Sequence, residues 1–593
     1  MKKNIEKKSK RSMLVNSLLQ LILIFFIIFL INFLSNFLFT RIDLTFDKRY
    51  TLSDETKSFV SNLEDVVYVE VLLDGELPPG YNRLKKVTQE FLNNLIAYGE
   101  NVRYTFKHPF LNVETDQEKR KIHEQLRQKG VRFEYVKAVD EEERWKQEIV
   151  YPSAIIRYRD KETVVNLISI EDEHNKVPGE MDKITLNNIS QRMEYRFVNA
   201  LRILTTKHQK SIAIIEGHKE LPPISMADIT NELAQYYNIE RVKIDENLNS
   251  LTLRDSSSDG SYNVFNKYDM LIIARPDSAF SDKDNFIIDQ FIMRGGKVMW
   301  FLDAITSHED SLAKMPVTMA MAKDLNLSNL LFAYGARINP NIILDKQCSF
   351  IPIPISGSDP PRFEPRKWFY YPVISSTNNH PIAKDVDFIK TEFPSVIELR
   401  EDLPEIKKHF LLHTSQYSNV IITPARVSVE FLYKEPQTSF FRDKEQPVAV
   451  LLEGKFNSYF KNKIPPEIQN SKEIAFIEKS RETSMLIVSD GDLIKNYYHV
   501  NSGQPYPIPI GADRSYSVIY KGNKEFVLNA ANYLMGEKGF ISLRTKKFKP
   551  RFLDTGSLQT QRLYWQIFNT AVPIAFVILF GFLFFFFRKR KYS

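Results

Sequence analysis

The run Ser211-Ile212-Ala213-Ile214-Ile215-Glu216-Gly217-His218 is continuously apolar until it ends in a polar turn. An unbroken apolar run of this length predicts a strand that is covered on both faces, as in parallel sheets. Helical patterns follow it, and Ser225 and Ser281 are the predicted N-caps. Comparable apolar runs recur further along the chain, at 270–274, 298–302, 447–452 and 484–489. Strands that alternate with helices predict a mostly parallel, doubly wound α/β sheet.

This sheet is assigned to a domain spanning 205–540, and a stretch at about 349–444 that is rich in proline and aromatics is interpreted as an insertion. A smaller α/β domain is predicted at 43–170. Ser53 is the expected cap of its first helix, and a strand, a helix, a strand and a hairpin follow. That order is compatible with a thioredoxin-like domain, although the absence of a Cys-x-x-Cys motif excludes thiol redox chemistry.

Two apolar segments, 18–39 and 566–587, are long enough to cross a bilayer as helices. The tail at 1–17 is strongly basic, and the tail at 588–593 holds a run of Lys and Arg. By the positive-inside rule, both tails are expected in the cytoplasm and the large domain in the periplasm. The chain is therefore predicted to be a two-span protein of the cell inner membrane, in contact with the lipid bilayer.

The net charge of +7 comes from the two basic tails, because the chain between them is slightly acidic. The middle of the chain therefore lacks the bulk charge of a nucleic-acid binder. With Cys348 as its single cysteine, the chain has neither an internal disulfide nor a thiolate metal cluster.

The first apolar segment also contains polar side chains, including Gln20, Asn32 and Asn36. Amides that face lipid are costly, so these three are predicted to contact other membrane helices. The alternative is that Asn32 and Asn36 lie at the level of the headgroups and contact water.

Ligands of open α/β sheets lie beyond the carboxyl ends of the strands, and the residues there are the natural candidates for a site. Glu216, His218 and Glu220 follow the first strand, and Asp303 follows the third. These four are the candidate ligand-binding residues. The alternative is a plain turn in which Gly217 supplies the conformation and His218 is a surface residue whose removal costs little. Asp490 and Asp492 follow the last strand, as turn and cap residues or a weak cation site.

Motifs of the common enzyme classes are absent from the sequence. It has no Gly-x-x-x-x-Gly-Lys-Ser/Thr loop, no Gly-x-Ser-x-Gly elbow and no His-Glu-x-x-His pair. Cys348 does not lie on a strand-to-helix turn, which argues against a thiol nucleophile. The sequence therefore predicts a protein that is not an enzyme and has no cofactor and no metal.

Several stretches resemble the GldG family, the gliding-motility-associated auxiliary proteins of ABC transporters in Bacteroidetes. The similarity extends over nearly the whole chain and is carried by residues 43–53, 215–218, 269–276, 288–298 and 380–382. It implies a separate ATPase chain and a permease chain as partners, and a substrate-binding type of domain. It also implies a fold like that of class I amidotransferases, whose nucleophilic cysteine follows a buried strand. Here Arg275-Pro276-Asp277 stands at that place.

The leading interpretation is a non-enzymatic accessory subunit of an ABC transporter, whose periplasmic domain binds a partner or an envelope ligand. Two alternatives remain open at this point. One is a periplasmic enzyme with a degenerate amidotransferase-like site around Glu216 and His218, and the other is a structural scaffold of the gliding machinery.

Overall fold

The structure is a computed structural model, and it divides the chain into two units, Met1–Thr545 and Lys546–Ser593. The residues that it describes are 18–30, 32–33, 51–111, 113, 115–139, 145–168, 181–206, 209–256, 262–307, 316–354, 362–376, 379–501, 503–513, 518–537, 539, 541 and 555–592.

The helices of the first unit are α1 Leu18–Leu30, α2 Asp54–Ser61, α3 Pro79–Tyr98, α4 Asp116–Gln128, α5 Lys183–Thr205, α6 Ala227–Ala234, α7 Asp282–Met293, α8 Ser328–Tyr334, α9 Pro466–Gln469 and α10 Gly522–Leu534. Short 3₁₀ turns lie at Pro223–Met226, Val429–Leu432, Thr438–Phe440 and Gly491–Ile494. The second unit contains the helix α11 Thr555–Tyr592.

An N-terminal sheet has the strand order β2-β1-β5-β6, in which β1 is parallel to β2 and antiparallel to β5. The strands of this part of the chain are β1 Val67–Val71, β2 Val102–Phe106, β3 Glu134–Val139, β4 Trp145–Val150, β5 Ser153–Tyr158 and β6 Lys161–Asn166, with β3 and β4 forming a separate hairpin. Ser53 caps α2 by accepting a hydrogen bond from the N–H of Thr56, as predicted. The strand–helix–strand–hairpin order agrees with the sequence, while the thioredoxin-like classification stays a prediction.

A seven-stranded sheet organises the remainder of the first unit, in the order β20-β23-β24-β12-β11-β7-β8. Neighbours from β8 to β24 are parallel, and β23 and β20 continue the sheet in antiparallel pairing. Its strands are β7 Ser211–Glu216, β8 Asn238–Lys243, β11 Met270–Ala274, β12 Lys297–Phe301, β20 Ile406–His413, β23 Pro447–Gly454 and β24 Thr483–Val488. The sheet is mixed but mostly parallel, which confirms the α/β class.

Alternate side chains of the central strands enter two separate cores, one on each face of the sheet. Ile212 and Ile214 pack with apolar residues of α6 and α10, and Ala213 and Ile215 pack with those of α7 and α8. Helices thus cover both faces of the sheet, which explains why its central strands have no polar side. The amidotransferase-like classification of this fold stays a prediction.

Smaller sheets surround this core. Their strands are β9 Thr252–Ser256, β10 Tyr262–Asn266, β13 Val317–Ala320, β14 Ala336–Ile338, β15 Asn341–Asp345, β16 Cys348–Pro354, β17 Phe363–Ile374, β18 Ile389–Lys390, β19 Ile397–Leu399, β21 Ser418–Ile422, β22 Ala425–Ser428, β25 Tyr498–Asn501 and β26 Gln504–Pro507. The edge strand β20 of the large sheet lies within the stretch 349–444 that was interpreted as an insertion.

The two apolar segments differ in what the structure describes. The stretch Gln561–Arg590 of α11 is long and apolar enough to span a membrane and contains the predicted span 566–587. In the first segment the apolar helix Leu18–Leu30 is shorter, and 34–39 lies outside the described residues. Gln20 and Asn32 are exposed, and Asn36 also lies outside the described residues. That the first segment also spans the membrane therefore stays a prediction. The topology of the chain and the roles of these amides stay predictions as well.

Candidate functional site

The carboxyl edge of the parallel strands is where this fold type places ligands. The order in which the strands are added to the sheet reverses between β7 and β11. From β7 the chain continues to β8 on one side, and from β11 it continues to β12 and β24 on the other side. Two groups of charged side chains lie at this edge. We call them the histidine cluster (His218, Glu220, Phe280 and Asp284) and the arginine cluster (Arg275, Asp303, Asp490 and Asp492).

In the histidine cluster, a buried imidazole lies between two carboxylates. Its Nδ1 lies 3.2 Å from Glu220 Oε1, and its Nε2 lies 3.1 Å from Asp284 Oδ2. The ring stacks on Phe280 with the centroids 3.6 Å apart and the planes at 17°. His218 is only 6% exposed. The histidine is therefore part of a packed, hydrogen-bonded core, which makes the expectation of a surface turn histidine wrong.

Local backbone geometry explains how these side chains meet. Gly217 has a φ of +123°, a conformation that favours glycine, and the turn brings the N–H of His218 to within 2.7 Å of Glu220 Oε2. The hydroxyl of Ser281 accepts from the N–H of Asp284 at 3.1 Å, so Ser281 caps α7 as predicted. This cap fixes the first turn of α7, from which Asp284 reaches the imidazole.

The loops that follow β7 and β11 are also joined directly. The carbonyl oxygen of His218 accepts from the N–H groups of Asp277 and Ser278, at 2.8 and 3.0 Å. The N–H of Leu221 donates to the carbonyl oxygen of Ala274 at 3.1 Å. The place where the strand order reverses is thus bridged by backbone hydrogen bonds.

The electrostatics of the histidine cluster favour the charged imidazole. Burial lowers the pKa of His218, but the hydrogen bonds with Glu220 and Asp284 outweigh it, and the pKa is raised above 6.5. Both ring nitrogens face carboxylate oxygens, and when both donate to them, neither keeps a lone pair for a metal or a proton. This arrangement is suited to holding the two loops together.

The arginine cluster is assembled from the ends of β11, β12 and β24. Arg275 Nε lies 3.2 Å from Asp303 Oδ2, and its Nη1 lies 3.3 Å from Asp492 Oδ1. Asp490 caps the 3₁₀ turn that follows β24 by accepting from the N–H of Asp492 at 2.9 Å. Gly491 allows this close approach, since a Cβ there would meet Arg275 Cβ at 2.7 Å. The N–H of Gly491 donates to Asp303 Oδ1 at 2.6 Å.

Burial and mutual repulsion raise the pKa of both Asp303 and Asp490. Burial alone would lower the pKa of Arg275. The nearby carboxylates of Asp492 and Asp303 stabilise its cation, outweigh the burial and raise its pKa. The guanidinium therefore compensates part of the negative charge of these acids, which would otherwise repel each other.

One carboxylate oxygen from each of Asp303, Asp490 and Asp492 lies within 4.8 Å of the others, a spacing that could hold a cation. However, Arg275 and Lys495 already provide positive charge, with Lys495 Nζ 2.7 Å from Asp492 Oδ1. Oxygen-rich cation sites use their carboxylates for the ion rather than for basic side chains. The chemistry of this donor set thus favours an internal ion-pair network over a metal centre.

A second set of charges extends this network. Lys390 Nζ lies 2.7 Å from Glu392 Oε1, and the hydroxyl of Tyr497 donates to the same oxygen at 2.8 Å. Partial burial alone would raise the pKa of the Glu392 carboxylate, but Lys390 and Lys495 outweigh it and lower the pKa. The backbone N–H of Glu392 donates to Asp490 Oδ2 at 2.8 Å, which joins the two sets.

The structure therefore separates the four candidate ligand-binding residues. His218 and Glu220 share the histidine cluster, and Asp303 belongs to the arginine cluster. Glu216 forms an ion pair with Arg241 on β8 and lies in neither cluster. Their role in ligand binding stays a prediction.

Sequence reasoning missed some of the side chains that complete these clusters. Asp284 lies 66 positions from His218, and Glu392 is about a hundred positions from Asp490 and Tyr497. The sequence did contain a signal for Asp284. Since Ser281 was predicted to cap α7, Asp284 was expected in the first turn of that helix. For Glu392, within the predicted insertion, the sequence contains no comparable signal.

Two parts of this chain match models of known protein families. A family model described as an ABC-type uncharacterized transport system matches residues 209–530, which is more than half of the chain. The chain belongs to this family. A second family model, described as a domain of unknown function, matches residues 46–157. The transporter-associated part of the predicted resemblance is thus confirmed, and the link to gliding motility stays a prediction.

A relative from Borreliella burgdorferi, described as an uncharacterized protein, is 23% identical over 97% of this chain and 99% of its own. Among solved structures, the chain is similar to one described as mmIFT52 N-terminal domain. That similarity covers 58% of this chain and all of that one, with a TM-score of 0.30 and 10% identity.

Proposed function

We propose that this family member is a non-enzymatic accessory subunit of an ABC transporter, anchored in the membrane by its two apolar segments. Its ATPase and permease partners are separate chains, since the sequence has no phosphate-binding loop for ATP. The two basic tails lie in the cytoplasm and the large domain in the periplasm, where it binds a partner or an envelope ligand.

The backbone conformation and the ion pairs of Arg275 support the proposal that the protein is not an enzyme. Arg275 has a φ of +53°, a left-handed backbone conformation that residues other than glycine rarely adopt. Strained turns after a buried strand present the nucleophile in several α/β enzymes. Here the turn presents a guanidinium that is ion-paired with Asp303 and Asp492. An ion-paired guanidinium is not a nucleophile, so this position serves the stability of the carboxyl edge.

The first experiment is purification of the full-length, tagged chain from its native membranes in a mild detergent. We expect an ATPase chain and a permease chain to be recovered with it at a constant ratio. Recovery of the chain without either partner would contradict the accessory role. A variant in which 561–590 is replaced by an unrelated apolar helix is the control for binding through the membrane.

Topology is tested by adding protease to intact spheroplasts, where we expect the large domain to be digested and the tails to be protected. Protection of the large domain would contradict its placement in the periplasm.

The proposed link to gliding motility rests on the sequence resemblance. It is tested by deleting the gene and following surface movement and assembly of the transporter in the same cells. Loss of transporter assembly with unchanged movement would remove this link and leave the accessory role in place.

A further inference from the structure

An open cleft of about 670 Å³ lies on the N-terminal part of the first unit, away from the carboxyl edge described above. We call it the tether cleft. It is formed by α2, the turn after β5 and the end of α5, and its lining residues include Asp54, Glu55, Ser58, Phe59, Glu64 and Arg159.

The cleft lies where both ends of the large domain meet. The helix α2 begins three residues after Thr51, where the described domain starts. At the other end of the domain, a Cβ placed on Gly539 would lie 3.0 Å from Glu55 Cγ and 3.6 Å from Glu55 Cβ. Ile541, two residues further, is buried in the core of the large sheet. Both ends of the described part of the domain therefore lie beside the cleft.

Both ends of the described part of the large domain lead along the sequence toward a predicted membrane segment. Thr51 follows the predicted segment 18–39 by 12 residues, and Ile541 precedes the apolar stretch 561–590 by 20 residues.

The charged and apolar side chains of the cleft indicate which kind of partner would bind there. Asp54 is paired with Lys57 at 2.8 Å, and Glu64 is paired with Arg159 at 3.1 Å. Glu55 is exposed, and it forms no ion pair with any residue of the described parts of the chain. Phe59 provides an aromatic surface next to this uncompensated carboxylate. A basic side chain flanked by apolar residues would complement both.

We propose that the tether cleft receives a Lys- or Arg-bearing segment of the transporter's membrane-embedded subunit. The proposal rests on the accessory role proposed above, and it adds the surface and the chemistry of the contact. The cationic side chain pairs with the carboxylate of Glu55, and its apolar neighbours cover Phe59. Charge pairing at such a contact gives specificity as well as affinity.

The contact is tested by photocrosslinking in native membranes with the full-length chain. Ser58→Cys introduces an exposed thiol into the cleft without removing Glu55, and a benzophenone maleimide is attached to it. The matched control is Ser328→Cys, since Ser328 is an exposed serine at the start of α8, outside the cleft. We expect position 58, and not position 328, to yield a crosslink to the permease. Products that contain only lipid, only this chain, or no partner would overturn the proposal.

A charge reversal tests the chemistry separately. Glu55→Lys is expected to lower recovery of the permease at least fivefold, whereas Glu467→Lys, at an exposed position on α9, leaves recovery unchanged. Equal recovery with Glu55→Lys and the parent chain would overturn the proposed pairing. If the parent chain itself recovers no permease, the accessory role fails instead, and the two failures are thereby distinguished.

Discussion

The Nε2 atom of His218 lies 3.1 Å from Oδ2 of Asp284, across the place where the strand order of the large sheet reverses. The same ring contacts Glu220 through its other nitrogen. One imidazole therefore links the loop after β7 to the start of α7, and its removal leaves two buried carboxylates without their shared partner.

Replacing this histidine tests whether the cluster is structural. We expect His218→Ala to destabilise the fold by about 3 kcal/mol, because loss of one partner leaves buried charge uncompensated. The measurement is the urea midpoint of the purified chain, followed by tryptophan fluorescence. The control is His499→Ala, since His499 is exposed on β25 and surface substitutions usually change stability by about 0.5 kcal/mol or less. Equal effects of the two variants would contradict the structural role.

The pH dependence of stability follows from the same contacts. Because the pKa of His218 is raised in the folded state, its contribution is fully present below the ordinary value of 6.5. It is lost as the pH rises through the higher folded pKa, since the folded state then gives up its extra proton. The difference in stability between the parent chain and His218→Gln should therefore shrink as the pH rises above 6.5. A difference that is constant or grows with pH would show that the imidazole is not held as a cation.

The arginine cluster makes a second prediction. Arg275→Met should destabilise the fold by about 3 kcal/mol, because it leaves buried Asp303 without the guanidinium that it contacts. Adding Asp303→Asn to this variant should restore part of the loss, since it removes one of the repelling charges. Urea midpoints of the single and double variants measure both steps. A double variant less stable than Arg275→Met would show that the guanidinium does not act by compensating charge.

The central strands and two caps were predictable from sequence because local signals determine them. Unbroken apolar runs located β7, β11 and β12 to within a residue, and serines before acidic first turns located the starts of α2 and α7. Ser225 carried a similar signal but is not a cap. It lies inside a 3₁₀ turn that follows Pro222, and α6 begins later, at Ala227.

The candidate site was less predictable, because side chains meet there through tertiary contacts. The sequence correctly showed that residues after several strands would share one edge of the sheet. It could not show that Asp303 pairs with Arg275 while His218 pairs with Asp284. Periodicity assigns residues to strands and faces, but the pairing depends on how long loops return to that edge.

The only cysteine of the sequence provides an independent check of packing. Burial raises the pKa of the Cys348 thiol to about 12, so very little thiolate is present near neutral pH. Since the thiolate is the reactive form, labelling by a maleimide should be at least ~100-fold slower in the folded chain than in urea. Mass spectrometry of timed samples measures both rates. Fast labelling of the folded chain would contradict the packing around β16, and it would also remove the clean background that the photocrosslinking requires.

The meeting of the two ends of the large domain is tested by a designed disulfide. The Cβ separation of 3.6 Å between positions 55 and 539 falls within the range of about 3.5–4.5 Å that disulfides require. We expect Glu55→Cys with Gly539→Cys to form a bond under mild oxidation, and to shift the chain on a non-reducing gel. The control pair combines Gly539→Cys with Asn62→Cys, just beyond the far end of α2. An eight-residue helix is about 12 Å long, so this pair should not form the bond. Equal yields from both pairs, or no bond in either, would show that the two ends of the domain do not meet beside the tether cleft.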